Sequence, residues 1–218
     1  MKKQSLITVH TYSLAQLLLK EKTDFPDFRS FNVYKKNRIY QVRNQHLSQV
    51  LKKEIGNAEI QNTEYGKPYV LNHRNFAFNH SHSQQHYVLA MSQSYSDIGI
   101  DLEDLSRKVR YEALAQHAFH PNELRHWQKL DYIKEYWFKV WTTKEAVLKA
   151  SGLGIRINLN ELDTQADPSH NRGVCHHPAI GYWAYQNFCL AETMLTVAWQ
   201  SEGFQANTSY PNIEIIAH

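Results

Sequence analysis

The chain has 218 residues, 42% of them hydrophobic and 12% aromatic, with a formal net charge of +3 and two cysteines. That length supports one sizeable domain or two small coupled ones with a core that needs no covalent staples, and no apolar run approaches the ~18 residues of a membrane span. Cys175 and Cys189 alone exclude a disulfide framework and fit a reducing, cytoplasmic setting.

In chain order, Met1-Lys2-Lys3-Gln4-Ser5 leads into an apolar run at 6–9 that is too short for the core of a signal peptide. Residues 5–12 alternate as an opening strand. Residues 36–55, with Ile39, Val42, Leu47, Val50 and Leu51, predict an amphipathic helix ended by Gly56. This part of the chain is basic: residues 1–75 hold 13 Lys and Arg against 6 Asp and Glu, whereas residues 76–218 hold 11 against 15. Arg29, Lys35, Lys36, Arg38, Arg43, Lys52 and Lys53 follow one another with no acidic residue between. A solvated helix face explains such a run, and so does a neighbouring anion or acidic protein surface.

Tyr65-Gly66-Lys67-Pro68 interrupts regular structure, because Pro restricts both itself and the residue before it, and so Lys67 is held on a stiff loop. Residues 76–79 alternate into a strand that His80-Ser81-His82-Ser83 ends with groups able to donate hydrogen bonds to phosphate oxygens. His80 and His82 would also suit zinc, but no Cys or carboxylate is close in sequence. Residues 86–91 predict another strand. In Ile98-Gly99-Ile100-Asp101-Leu102-Glu103 a period of two puts both carboxylates on one face, where they can grip a hard cation. Gly99 would let a bulky ligand approach the backbone.

Short helices follow at 111–118 and 121–127, the second with Pro121 as its first residue. A long helix at 131–150 carries Ile133, Trp137, Val140, Trp141, Val147 and Leu148 as a core-facing stripe, with the tryptophans packing rather than stacking on a cofactor, and Gly152 ends it. Glu145 and Lys149 lie one turn apart on one face of it. Lys144 points off that face and receives no role. Residues 179–185 and 194–199 read as closing strands, and His117, His120, His176 and His177 as surface or core residues.

Four blocks stand in order: Gly66-Lys67-Pro68; Phe78-Asn79-His80-Ser81-His82-Ser83; Gly99-Ile100-Asp101-Leu102-Glu103; and Trp141-Thr142-Thr143-Lys144-Glu145-Ala146-Val147-Leu148-Lys149, running on to Gly152-Leu153-Gly154-Ile155. Together they resemble the signature of the 4′-phosphopantetheinyl transferase superfamily, in its pseudo-dimeric, surfactin-synthetase-type branch. His80 stands where an apolar residue is more usual, and Ile155 where Leu is. The resemblance implies an α+β fold of two similar α/β halves related by a pseudo-twofold axis: residues 1–97 on the coenzyme A side and 98–218, with the long helix 131–150, on the Mg²⁺ side. It implies transfer of the 4′-phosphopantetheine arm of coenzyme A to a serine of an apo acyl or peptidyl carrier protein, as in holo-[acyl-carrier-protein] synthases, leaving adenosine 3′,5′-bisphosphate.

Carried over residue by residue, Asp101, Glu103 and Glu145 would hold Mg²⁺. Arg43, Lys67, Ser81, His82 and Lys149 would bind coenzyme A. Glu145 and Lys149 would be catalytic, with either Glu145 or a metal-bound water as the base. A monomer is expected, since one chain would hold both halves, with neither nucleic acid nor membrane as partner. Two other readings of the same residues stay open. One is a coenzyme A or nucleotide binder without turnover; the other is a Mg²⁺-dependent nuclease or phosphohydrolase built on the D-x-E and E-x-x-x-K spacings.

Overall fold

The computed structural model describes residues 6–203 and 210–218; the leading residues 1–5 and the side chain of Ile155 lie outside what is described. Two four-stranded sheets pack face to face, and a long helix covers the outer face of each. The first sheet has the order β10-β1-β5-β4, from β1 (Leu6–Ser13), β4 (Ala77–His82), β5 (His86–Ser92) and β10 (Asn212–Ala217). The second has the order β6-β9-β8-β7, from β6 (Ile98–Asp104), β7 (Arg172–His177), β8 (Gly181–Leu190) and β9 (Thr193–Gln200). A small hairpin, β2 (Ile60–Asn62) with β3 (Pro68–Val70), carries the Gly66 turn between its strands. The fold is therefore α+β.

Strand parity decides what each sheet face meets. Ile7, Val9, Ala77, Val88 and Ala90 of the first sheet pack against Ile98, Ile100, Leu102, Leu195 and Val197 of the second. Each Ile, Leu or Val among them stabilises by roughly 1.5–3 kcal/mol when fully buried, so this layer alone is ample glue. The alternate residues Phe78, Tyr87, Leu89 and Met91 face Ile39, Val42 and Leu47 of helix α2 (Phe28–Leu51), which follows the one-turn helix α1 (Leu14–Leu17). On the outer face of the second sheet, Trp183, Tyr185 and Ala198 pack on Ala146, Val147 and Ala150 of helix α5 (Lys134–Ser151). Helices α3 (Tyr111–Ala118) and α4 (Pro121–Lys129) close the end of that layer around Phe119, Trp127 and Trp137.

Several boundaries differ from the sequence reading, each for a local reason. Helix α2 begins at Phe28, eight residues earlier than expected, because Asp27 caps it by accepting from the Ser30 amide at 2.6 Å. Its first two turns are largely exposed and show no apolar period. It ends at Lys52, in the left-handed conformation at φ 52°, not at Gly56. Helix α5 starts at Lys134, since Asp131 and Tyr132 take positive φ, which breaks the helix there and leaves Ile133 43% exposed rather than in the stripe. Gly152 ends it as expected, at φ 73°.

Strands β7 and β10 were not foreseen. The latter runs parallel to β1, with Leu6 opposite Asn212, so the far end of the chain completes the first sheet. No helix among the described residues is long and apolar enough to cross a membrane.

Candidate active site

The candidate site lies where β4, β6 and α5 meet. Along β6, Ile98, Ile100 and Leu102 point into the layer between the sheets, so Gly99, Asp101 and Glu103 point toward α5. Gly99 does bring two backbones together, but its neighbour is the helix rather than a ligand: an added Cβ would fall on the Ala146 carbonyl oxygen and the Ala150 amide. That close approach sets Glu145 and Lys149, one turn apart on α5, against the two carboxylates of β6.

Lys149 Nζ lies 2.6 Å from Asp101 Oδ1 and donates to Ser81 Oγ at 2.9 Å, while the Ser81 hydroxyl donates to the same Asp101 oxygen at 2.8 Å. The other oxygen, Asp101 Oδ2, is buried and has no hydrogen-bond partner. Asn79, two residues from Ser81 on β4, accepts from the Ile100 amide at 3.0 Å and ties the two strands together beside the site. Glu103 accepts from the Arg107 guanidinium, and Trp141, one turn before Glu145, stacks on Trp137.

The electrostatics are those of an acidic site short of positive charge. Burial pushes the Glu145 carboxyl above the ordinary carboxylate range, and the charges of Asp101 and Glu103 add to this while Lys149 opposes it. Burial likewise raises Glu103, against the hydrogen bond from Arg107. An unpaired, buried Asp101 oxygen beside two carboxyl groups in this state suits a hard divalent ion, whose charge would satisfy all three. The three are not drawn into a closed cage here. Lys149 and Arg107 hold Asp101 and Glu103 instead, and the three carboxylates do not form a tight cluster of ligand atoms.

A cleft of about 240 Å³ opens beside Glu145 and Lys149, lined also by Tyr65, Lys67, Asn79 and His80 among others. Lys67 reaches it from the hairpin, but its ammonium is already engaged, with Asp97 and with the Ala150 carbonyl oxygen, which it caps at 2.6 Å at the end of α5. Ser81 and His82 do not share a face, as neighbours on one strand cannot. Ser81 turns toward Asp101, and His82 lies exposed on the other side of β4, the side of α2. His80 is on that side too, edge-on to Tyr40 and Tyr87. Burial, with the positive charges of Arg43 and Lys149, holds its imidazole down at about 3, so the residue is a neutral wall of the cleft. As zinc ligands, His80 and His82 would point along one side of β4, but they gather no third ligand among the described residues.

Arg43 is buried on α2, donating to Asn44 at 3.0 Å and Asn57 at 3.2 Å and lying over the Tyr40 ring. It meets the cleft only through its effect on His80. Much of the basic run is spent within the fold in the same way. Arg38 donates to the Leu17 carbonyl at 3.0 Å, Lys35 is half-buried within the field of Asp104, and Lys52 is the helix cap. Lys144 is also structural: it is buried against Glu123 at 2.8 Å and the Leu159 carbonyl at 2.9 Å.

Sequence reasoning passed over Arg107, Asn79 and Asp104. Arg107 was legible as the residue four beyond Glu103. Asp104, which accepts from Ser83 at 2.8 Å and the Gln85 amide at 3.0 Å and pairs with His86, pins the β4–β5 turn to the end of β6, a long-range contact with no local signal.

A model of the family described as the 4′-phosphopantetheinyl transferase superfamily matches residues 97–201. A 4′-phosphopantetheinyl transferase of Aneurinibacillus migulanus is 35% identical over 118 residues, 53% of this chain and 47% of that protein. The 4′-phosphopantetheinyl transferase HetI of a Nostoc strain is 35% identical over 132 residues, 58% of this chain and 54% of that protein. A 4′-phosphopantetheinyl transferase of Bacillus subtilis is 32% identical over 104 residues, 47% of this chain and 45% of that protein. The matched part of the chain thus spans about half the length of these relatives.

Proposed function

We propose that the chain is a member of the 4′-phosphopantetheinyl transferase superfamily, whose model matches residues 97–201, and that it moves the 4′-phosphopantetheine arm of coenzyme A onto a serine of an apo acyl or peptidyl carrier protein. The observation that carries this reading is the Ser81–Asp101–Lys149 triad, whose lysine lines an open cleft, with one Asp101 oxygen buried and unpartnered. A mere binder has no use for that oxygen, nor for two more carboxyl groups that burial raises above the ordinary carboxylate range beside it. Asp101, Glu103 and Glu145 would hold Mg²⁺. When bound, the ion would offset the charge of the pyrophosphate oxygens.

The chain's own groups then account for the rest. Glu145, half-buried at the cleft and raised by burial, takes the proton from the carrier serine as its oxygen bonds to the β-phosphorus. The bond from that phosphorus to the bridging oxygen breaks, and the electron pair leaves on adenosine 3′,5′-bisphosphate. Lys149, 30% exposed and one turn from Glu145, turns from Asp101 to that departing phosphate as a point charge. Ser81 donates to a phosphate oxygen in place of Asp101. Lys67 holds the hairpin against the end of α5, so that the Tyr65 and Gly66 rim is fixed when the ligand enters. The reading includes holo-[acyl-carrier-protein] synthase activity, a cytoplasmic monomer made of halves 1–97 and 98–218, the second lending β10 to the sheet of the first, and coenzyme A contacts by Arg43 and His82 once the ligand is seated.

Intact-mass measurement of a serine-bearing apo carrier incubated with the chain, coenzyme A and Mg²⁺ tests it. A mass gain of one phosphopantetheine is expected. Unchanged carriers across a fatty-acid, polyketide and peptide panel, with coenzyme A still bound, would leave a binder instead; salt-sensitive DNA cleavage would point to a nuclease.

A further inference from the structure

On the α2 face of the first sheet, at its β10–β1 end and so away from β4, three histidines from distant parts of the sequence converge. Strand parity brings them there. Ile7 and Val9 of β1 face the second sheet, so His10 and Tyr12 face α2. In β10, Ile213 and Ile215 face the second sheet, so the next residue of opposite parity past the strand end, His218, also turns to α2; its amide donates to the Thr11 carbonyl at 3.1 Å. His46 comes from the buried face of α2, with Val42, Arg43 and Leu47. A nitrogen from each of His10, His46 and His218 lies within 4.8 Å of the other two.

We propose that this trio is a binding site for a borderline divalent metal ion, Zn²⁺ above all, that fastens β1, β10 and α2 together. Imidazole nitrogen suits such an ion, and three histidines leave a fourth position for water. His10 Nδ1 and His218 Nε2 are 2.8 Å apart, sharing a proton. A tetrahedral ion with bonds of about 2.0–2.1 Å sets two such nitrogens about 3.3 Å apart, so exchanging that proton for the ion opens the pair by only about half an ångström. The displaced proton moves to the other nitrogen of the same ring, and the imidazoles stay neutral. The Tyr12 hydroxyl bonds His46 Nε2, and the Tyr12 ring lies parallel to that of His218 at 4.4 Å between centroids. These two contacts hold the His46 and His218 rings in place.

The test uses the full chain, stripped with a chelator and then titrated with Zn²⁺ alone in excess Mg²⁺. Metal content and melting temperature are read together. One equivalent of zinc per chain and a melting temperature higher by several degrees are expected, both retained in Asp101→Asn. Loss of even an outer partner weakens metal affinity about 10–100-fold, so His218→Ala and His46→Gln must each weaken zinc by at least that range. The absence of saturable binding, wild-type affinity in either histidine variant, or loss of the zinc in Asp101→Asn would each overturn the proposal.

Discussion

Two of the four lysines of helix α5, Lys144 and Lys149, stand five residues apart in opposite circumstances. Lys144 is 1% exposed and its partner Glu123 2%, and that pair is saturated: Glu123 also accepts from the Thr164 amide at 2.9 Å, the Thr164 hydroxyl at 2.5 Å and the His120 amide at 2.7 Å. Lys149 is 30% exposed over an Asp101 that is 7% exposed and keeps one oxygen without a partner. Both are lysine–carboxylate pairs. What separates a lock from a working site is whether every acceptor is filled, and an incompletely filled site keeps a free acceptor for something else.

If that contrast holds, Lys144→Ala gives the largest effect. It strands a buried Glu123, at a cost of about 3–5 kcal/mol in urea unfolding, while transfer per folded molecule persists. Lys149→Ala and Asp101→Ala invert the pattern: transfer falls by at least about 10²–10³-fold and the urea midpoint moves less than in Lys144→Ala. Equal stability losses in Lys144→Ala and Lys149→Ala would erase the distinction. Gly99→Ala sharpens it, since the added methyl drives α5 off β6. Overpacking of this kind costs about 1–3 kcal/mol, and here transfer should fall as well because Glu145 and Lys149 move with the helix.

The smallest effect is expected from Glu145→Gln in chelated protein. The wild-type carboxyl is raised in the folded state by burial and by Asp101, so its contribution to stability is fully present below its unfolded value of 4.5 and is lost as pH rises through the folded value. The variant should therefore melt higher than wild type at neutral pH and converge with it below the ordinary carboxylate range. A gap that is constant with pH would contradict this. His80, held at about 3, contributes no limb to the profile between pH 5 and 8.

The acidic strand and its helix were legible in the sequence because both signals are local. A period of two aligns Asp101 with Glu103, a spacing of four aligns Glu145 with Lys149, and β-branched or apolar neighbours mark the elements. Ser81 could be chosen from its block, but not its hydrogen bond to Asp101, which joins different sheets. Lys67 shows the limit of motif reading. Its loop was placed correctly, yet its charge is used on Asp97 and the end of α5, a contact across 83 residues of sequence. The basic run misled for the same reason: charge counts along a chain do not reveal that Arg38 and Arg43 turn inward. Strand β10 left an alternating trace at Ile213 and Ile215, but its partner, β1, lies at the other end of the sequence.

That pairing bears on how the molecule is made. Since Leu6 is matched to Asn212, β1 keeps an open edge throughout synthesis of the roughly two hundred residues between them, and non-local closures of this kind are slow. A nascent chain paused before residue 212 would present that edge to any other extended segment, which is how strands come to pair with the wrong molecule. A fusion or truncation that disturbs residues 212–217 should therefore show itself first as aggregation during expression, before any change in the acidic cleft, which those residues do not touch.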